Sequence, residues 1–370
     1  MSSLSEQENR YDESGPTVRE NTEVAVPAAD VEQGQQWRFE FHGNAGEYFN
    51  IWIVNIFLTI ITLGIYGPWA KVRRLRYFYG NTQLGTDKFD FTALPSRILI
   101  GRLIAVALFA AFSVLSELDP TYALAIWGVA LIAVPWLVRS TMRFRARNSK
   151  YGNSRFYFSA SQGQTYWLFA KCLLITLLSF GLLYPVALYW FKSYQINHLH
   201  IGGLKFELKS GWADFYGAVL KPYLWMLLAG LVVVILGMML QTPRNPVVMG
   251  GIFIVAATVF YILMIDLFVP LTQAYLFRAT WQDVQVGSSR ISTDLSPLKY
   301  AWIQFTNYVA MVFTLGLLHP WAAVRLYRYQ SASLQVDLYD DPQSLINQVQ
   351  NDPHSIGEEI ADVFDIDISL

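Results

Sequence analysis

TLGIYGPWAKVRRLRYFY, residues 62–79, changes character halfway along. An uncharged apolar run enters Gly64, meets Pro68-Trp69 and passes at once into a basic-aromatic run. Proline lacks a backbone donor and restricts the residue before it, so an apolar helix is expected to kink or stop here. Arg73, Arg74 and Arg76 then lead into Tyr77, Phe78 and Tyr79. Arginine pairs with phosphate and aromatic rings favour the headgroup level, so the stretch reads as a membrane boundary.

Upstream, no charge lies between Glu47 and Lys71, and roughly 20 apolar residues are what a helix needs to cross a bilayer. The same test predicts helices at about 49–69, 98–118, 121–142, 165–190, 222–242, 247–277 and 301–323. The expected fold is therefore an all-α polytopic membrane protein of about seven transmembrane helices. Composition agrees: 54% of residues are hydrophobic and 15% are charged, against about 25% charged in soluble domains. Short alternating stretches at Phe39/Phe41, 89–91 (FDF), 156–158 (FYF) and 206–208 (FEL) predict β-strands in the loops.

Charge divides the 370-residue chain into three parts. Residues 1–36 hold eight acids and two bases and read as a disordered acidic tail with no signal peptide. Residues 331–370 hold nine acids and no base and read as a second, solvated tail. The membrane domain, 37–330, carries the remaining 25 bases against 11 acids. A basic membrane body suits anionic headgroups. The single cysteine, Cys172, excludes an internal disulfide framework.

Degenerate copies of the opening junction recur at Pro135, Pro185, Pro270 and Pro320. Eight residues after their prolines, four copies carry a base: Arg76, Arg143, Arg278 and Arg328. A longer period of 135 residues relates Pro135 to Pro270 and Pro185 to Pro320, and aligns GNSRF (152–156) with GSSRI (287–291). These matches predict tandem three-helix repeats, 98–208 and 222–337, with the first helix as an extra copy. Three full spans per repeat would insert the second repeat upside down, as in many secondary transporters; the alternative is that one segment is re-entrant or interfacial, which keeps every basic junction on one side. An odd total of spans puts the two ends on opposite sides, and the count of bases in the loops favours the amino end outside and the carboxyl end inside.

Two ionisable residues interrupt predicted spans, Asp266 and Arg102. Charge inside a membrane is expensive, so they are candidates for an ion or solute pathway, while pairing or snorkelling explains them structurally. Asn55 and Asn307 each lie 13 residues before a proline and are candidates for interhelical hydrogen bonds or a pathway lining. Arg73, Arg74, Arg76, Arg143, Arg278 and Arg328 are the lipid-headgroup candidates. Gly64, Pro68, Pro135, Pro185, Pro270 and Pro320 are the expected helix-break positions. His198 and His200 share a strand face, but two ligands do not make a metal site, and neither a metal nor a cofactor is expected. No HExxH, GxSxG or CxxC occurs, so no enzyme is expected. The basic-aromatic runs sit at membrane edges, which argues against nucleic acid.

TLGIYGPWAKVRRLRYFYGNTQLG, preceded by FHGNAGEYF, resembles the repeated signature of the YjgN family of bacterial inner-membrane proteins, over roughly residues 39–338. The resemblance implies a multi-pass inner-membrane protein and implies no activity or catalytic residue. Two functions are carried forward: a small-solute or ion transporter built on the repeat, and a non-catalytic scaffold binding anionic lipid or partner proteins.

Overall fold

The computed structural model describes residues 35–339, apart from 97, 101–102, 104–109, 115–119, 240–244 and 264–266. Its centre is a closed antiparallel β-barrel of ten strands. In chain order these are β1 (Gln35–Phe41), β2 (Thr82–Leu84), β3 (Asp87–Phe91), β4 (Ser149–Tyr151), β5 (Ser154–Phe158), β6 (Leu199–Ile201), β7 (Leu204–Leu208), β8 (Val284–Val286), β9 (Ser289–Thr293) and β10 (Leu334–Leu338). Each strand pairs with its neighbours in sequence, and β10 closes on β1 with Gln35 opposite Leu338.

Connections alternate. From β2 to β3, β4 to β5, β6 to β7 and β8 to β9 the chain makes a tight turn, with Gly85, Gly152, Gly202 and Gly287 at positive φ. From each odd strand to the next even strand it makes a helical excursion. Because the strands are antiparallel, every excursion leaves and re-enters at one end of the barrel, and every tight turn lies at the other.

The excursions hold α1 (Ala45–Ile61) and α2 (Gly67–Gly80); α3 (Pro120–Arg147); α4 (Gln162–Leu178) and α5 (Tyr184–Asn197); α6 (Trp212–Met239), α7 (Pro246–Leu263) and α8 (Val269–Trp281); and α9 (Pro297–Phe313) and α10 (His319–Ala332). Asn44 caps α1 by accepting the Glu47 amide, and Ser161 with Gln164 forms a capping box on α4. The last helix of one excursion packs on the first helix of the next: α3 on α4, α5 on α6, α8 on α9, and α10 on α1. The helical ring thus closes where the barrel closes.

Arginines tie the two layers together. Arg76 of α2 donates to the carbonyls of Phe91 (3.1 Å), the last residue of β3, and Ala93 (3.0 Å) just beyond it. Arg139 of α3 donates to Ala160 beyond β5 (2.7 Å), and Arg328 of α10 to Gly43 beyond β1 (2.7 Å). In each case a returning helix holds the corner where the neighbouring unit leaves the barrel.

The fold corrects the all-α expectation. The stretches at Phe39/Phe41, 89–91, 156–158 and 206–208 lie in β1, β3, β5 and β7, but they build a barrel rather than decorate loops. Three predicted spans are hairpins. The windows 49–69, 165–190 and 301–323 each contain the end of one helix, a reversal and the start of a second. The reversals are themselves apolar, so a hydropathy window runs through them without interruption. Among the described residues, one helical segment, Trp212–Val232, is long and apolar enough to cross a bilayer; Ala45–Ile61 and Gly250–Tyr261 are shorter apolar helices.

The inverted arrangement falls as well. β4 and β8 belong to the same barrel, so both halves of the chain face the same way. Gln35 and Leu338 are paired neighbours, which removes the opposed ends. The three-helix grouping gives way to strand-bounded helical excursions. The barrel also takes in residues past 330, because Leu334–Leu338 is the closing strand.

Candidate functional site

Along the strands, side chains alternate between the lumen and the outer face, and the lumen side is mostly apolar. Trp37, Phe39 and Phe41 of β1 face inward while Gln36, Arg38 and Glu40 are exposed. Phe206, Val286, Ile291, Val336 and Leu338 belong to one buried cluster. The outer face is a band of charge: Arg38 reaches Asp294 (3.3 Å), Arg290 reaches Asp283 (2.9 Å), and Glu207 lies between Lys205 (3.4 Å) and Lys209 (2.7 Å). The two lysines hold the Glu207 carboxyl below its ordinary pKa. Membrane-spanning barrels show the opposite pattern, apolar outside, with strands of about 9–11 residues. Here the longest strand has seven. The outer face of this barrel is charged where that of a membrane-spanning barrel is apolar.

Ten strands enclose more room than their side chains fill. Eight give an interior that side chains just occupy or that holds one small ligand. The lumen here is a cavity of about 420 Å³, inside the ~300–1,000 Å³ range of small-molecule sites. Among the described residues no charged side chain lines it. Its walls are apolar strand residues, and its helix end is lined by Tyr79 of α2, Phe277 and Trp281 of α8, and Tyr327 and Gln330 of α10.

A few polar groups punctuate the wall. At the helix end, Thr82 Oγ1 lies 3.0 Å from Tyr327 Oη and donates to the Phe78 carbonyl (2.7 Å). At the turn end, the Tyr151 hydroxyl donates to the Leu84 carbonyl (2.7 Å). Burial, and secondarily the Asp87 carboxylate, push its pKa up to about 12. Ser154 and Ser289 also line the lumen, 1% and 2% exposed, and among the described residues their hydroxyls have no hydrogen-bond partner. Both stand beside a tight turn, Ser154 opposite Tyr151 and Ser289 opposite Val286. Trp37 leans across the β2–β3 turn at Gly85, and Leu204 across the β8–β9 turn at Gly287.

The residues singled out in the sequence fall elsewhere. Asp266 and Arg102 lie outside the described residues. Asn307 is 1% exposed; its amide donates to the Ala322 carbonyl (3.1 Å), and its side-chain oxygen accepts from Arg325 (3.0 Å). It therefore ties α9 to α10. Asn55 is also buried, its side-chain oxygen without a partner among the described residues. Arg73 and Arg74 are exposed on α2, and Arg278 on α8. Arg76 and Arg328 hold backbone carbonyls, as above, and Arg143 lies on α3. Pro68, Pro185, Pro270 and Pro320 stand in the first turn of α2, α5, α8 and α10, where no amide is needed. Pro135 instead sits within the continuous 28-residue α3, which runs through the one missing hydrogen bond. His200 stacks on Tyr157 outside the barrel (4.6 Å between ring centroids), and no cluster of three metal-ligating side chains occurs among the described residues.

The lumen itself went unread in the sequence. The one signal for it was the match of GNSRF with GSSRI, which aligns Ser154 with Ser289.

Comparison with known proteins places the chain. It is 28% identical over 170 residues to the inner membrane protein YjgN of Salmonella typhimurium strain LT2, covering 45% of this chain and 41% of that protein. It is 30% identical over 131 residues to the proteins of the same name from Escherichia coli O157:H7 and strain K12, covering 35% of this chain and 33% of each relative. The alignments thus span less than half the length of these relatives. No solved structure matches the chain. The profile of a bacterial protein family of unknown function, DUF898, matches residues 36–363, and the chain belongs to that family.

Proposed function

We propose that the protein is a multi-pass inner-membrane protein that binds lipid without catalysis, with its helices in the bilayer, its barrel in water and the apolar part of a lipid in the barrel lumen. One observation carries the reading: an apolar cavity of about 420 Å³, lined by no charged side chain among the described residues, has aromatic residues at its helix end. Apolar surface buried there is worth about 25 cal/mol per Å², so an acyl or isoprenoid chain is the ligand class the walls favour. The helix-borne arginines of the boundary, Arg73 and Arg74 above all, would favour an anionic headgroup. The sequence repeat fits the same reading, as a strand–helix–helix–strand unit used around the ring. A small-solute or ion pathway would rest on Asp266 and Arg102, and the uncharged lumen favours an apolar ligand over an ion.

The test uses the purified protein and a pyrene-labelled phosphatidylglycerol. Saturable energy transfer from the lumen tryptophans, Trp37 and Trp281, is expected, with loss in Ser289→Phe, which fills the cavity from β9. Phosphatidylcholine as the competitor should displace the probe less well than phosphatidylglycerol, and Arg73→Gln/Arg74→Gln should erase that preference. Probe binding unchanged in Ser289→Phe would refute the lumen as the site.

A further inference from the structure

Three helical hairpins are built alike. The first helices α1, α4 and α9 each have 17 residues, and the returning helices α2, α5 and α10 each have 14. Five residues join each pair: 62–66, 179–183 and 314–318. Each tip holds a non-glycine residue at φ near +50°, Leu63, Phe180 and Leu315, followed by a glycine at φ between +84° and +92°. Those three side chains are 94%, 97% and 95% exposed. No tip contains a charged residue.

The hydrogen bonding at the tips is unusual for a surface loop. At the first tip, each backbone N–H from Thr62 to Gly67 has an internal acceptor: Leu58 O, Ile60 O, Thr59 O, Thr62 O, Thr62 Oγ1 and Gly64 O, at 2.8–3.1 Å. The second tip repeats the scheme from Ser179 to Tyr184, with Ser179 Oγ accepting from Leu183 (3.0 Å). The third repeats it from Thr314 to His319, with Thr314 Oγ1 accepting from Leu318 (3.3 Å). The residue after these, Pro68, Pro185 or Pro320, has no N–H to satisfy. Each hydroxyl also donates to a carbonyl of the preceding turn. A loop in water leaves amides to the solvent; a loop in hydrocarbon must satisfy them itself. A left-handed leucine or phenylalanine costs backbone strain, and here it closes the amide set while projecting a large apolar side chain.

We infer that these three hairpins are re-entrant, with the tips at Leu63, Phe180 and Leu315 immersed in the acyl chains of the bilayer. Length agrees. A 17-residue helix rises about 25 Å, and its first turn lies at the barrel, whereas the hydrocarbon core is about 30 Å thick. The barrel, its tight turns and its first and last strands stay on one side, and the tips stop short of the other. The inference rests on the inner-membrane location proposed above but not on a lumen ligand, so either can fail alone.

The experiment places single cysteines at Leu63, Phe180 and Leu315 in a Cys172→Ala background, with Lys88→Cys on the outer barrel face as the control. A charged, membrane-impermeant maleimide is applied to spheroplasts and to inverted vesicles, and again after detergent solubilisation. Loss of labelling from both sides is expected at the three tips, with recovery in detergent, while Lys88→Cys labels from one side only. Tip labelling from the side opposite Lys88 would mean the hairpins cross, and labelling from the same side would mean they are not inserted; both overturn the proposal. Nitroxides at the same positions in phosphatidylethanolamine–phosphatidylglycerol vesicles should be relaxed by oxygen and not by a water-soluble nickel chelate. Protection from both relaxing agents would bury the tips in protein, and would overturn it too.

Discussion

Gly85→Ala should be among the more damaging single-methyl changes in the barrel, for two separable reasons. Gly85 sits at φ +59°, so an alanine there takes up left-handed strain of about 1–2 kcal/mol. Its new methyl would also overlap Cζ3 and Cε3 of Trp37 and lie 2.6 Å from Cη2. A rigid indole wedged between the turn and the lumen gives way only by repacking, which adds about 1–3 kcal/mol. The expected total is about 2–5 kcal/mol. Gly64→Ala is the internal control: φ is +92°, but nothing lies within 4 Å of an added methyl, so only the strain of about 1–2 kcal/mol applies. The measurement is unfolding in mixed micelles followed by near-ultraviolet circular dichroism, run also in a Trp37→Ala background. There the overlap disappears, and the cycle should return a coupling of about 1–3 kcal/mol. Gly85→Ala no worse than Gly64→Ala, or a full effect surviving without Trp37, would refute the packing account.

Arg76→Gln should destabilise the protein by about 1–3 kcal/mol, because the carbonyls of Phe91 and Ala93 lose their donor; Arg73→Gln, on an exposed position, should leave the unfolding midpoint nearly unmoved. Thr62→Val and Thr314→Val, which strip the acceptor from the Tyr66 and Leu318 amides, should lower stability in bilayers by about 1–3 kcal/mol each, with a smaller effect in a detergent that admits water to the tips; equal losses in both media would contradict lipid immersion. Burial pushes the pKa of His200 below its ordinary value, so the unfolded chain takes up this proton first. Its contribution to stability is then complete above about pH 6.5 and declines as pH falls through that value; His200→Gln should flatten that part of the pH–stability curve. Tyr151, with its pKa at about 12, should remain un-ionised at pH 11 in an ultraviolet titration, and the signal lost in Tyr151→Phe should appear only above that.

Local chemistry was legible in the sequence, and long-range pairing was not. Gly64-x-x-x-Pro68 announced an interruption because proline and left-handed glycine leave residue-level marks. It did not tell a helix end from a reversal, since Leu63, Ile65 and Tyr66 keep the window apolar through the turn. Phe39-x-Phe41 and Phe89-x-Phe91 carried the period of two, but strands of three to seven residues are too short to declare their partners. Nothing near Gln35 points to Leu338. Asn307 was conspicuous as a polar residue in an apolar helix; Arg325, which holds its side-chain oxygen, was one more base in a basic run. The lumen stayed hidden because its wall is assembled from every strand, and its two unpartnered serines looked like ordinary turn residues beside glycine.

The seam between β1 and β10 bears on how the protein is made. Gln35 leaves the ribosome early, and its partner Leu338 about 300 residues later. At typical rates of synthesis, about 5–20 residues per second, β1 waits some tens of seconds with an unpaired edge. During that interval five helical excursions are made while a partial sheet grows with two open edges, the condition that invites wrong pairing. A nascent chain released before Leu334 would have no strand to seal the barrel, and both rims would remain exposed. Closure of the barrel therefore waits for its last strand, Leu334–Leu338.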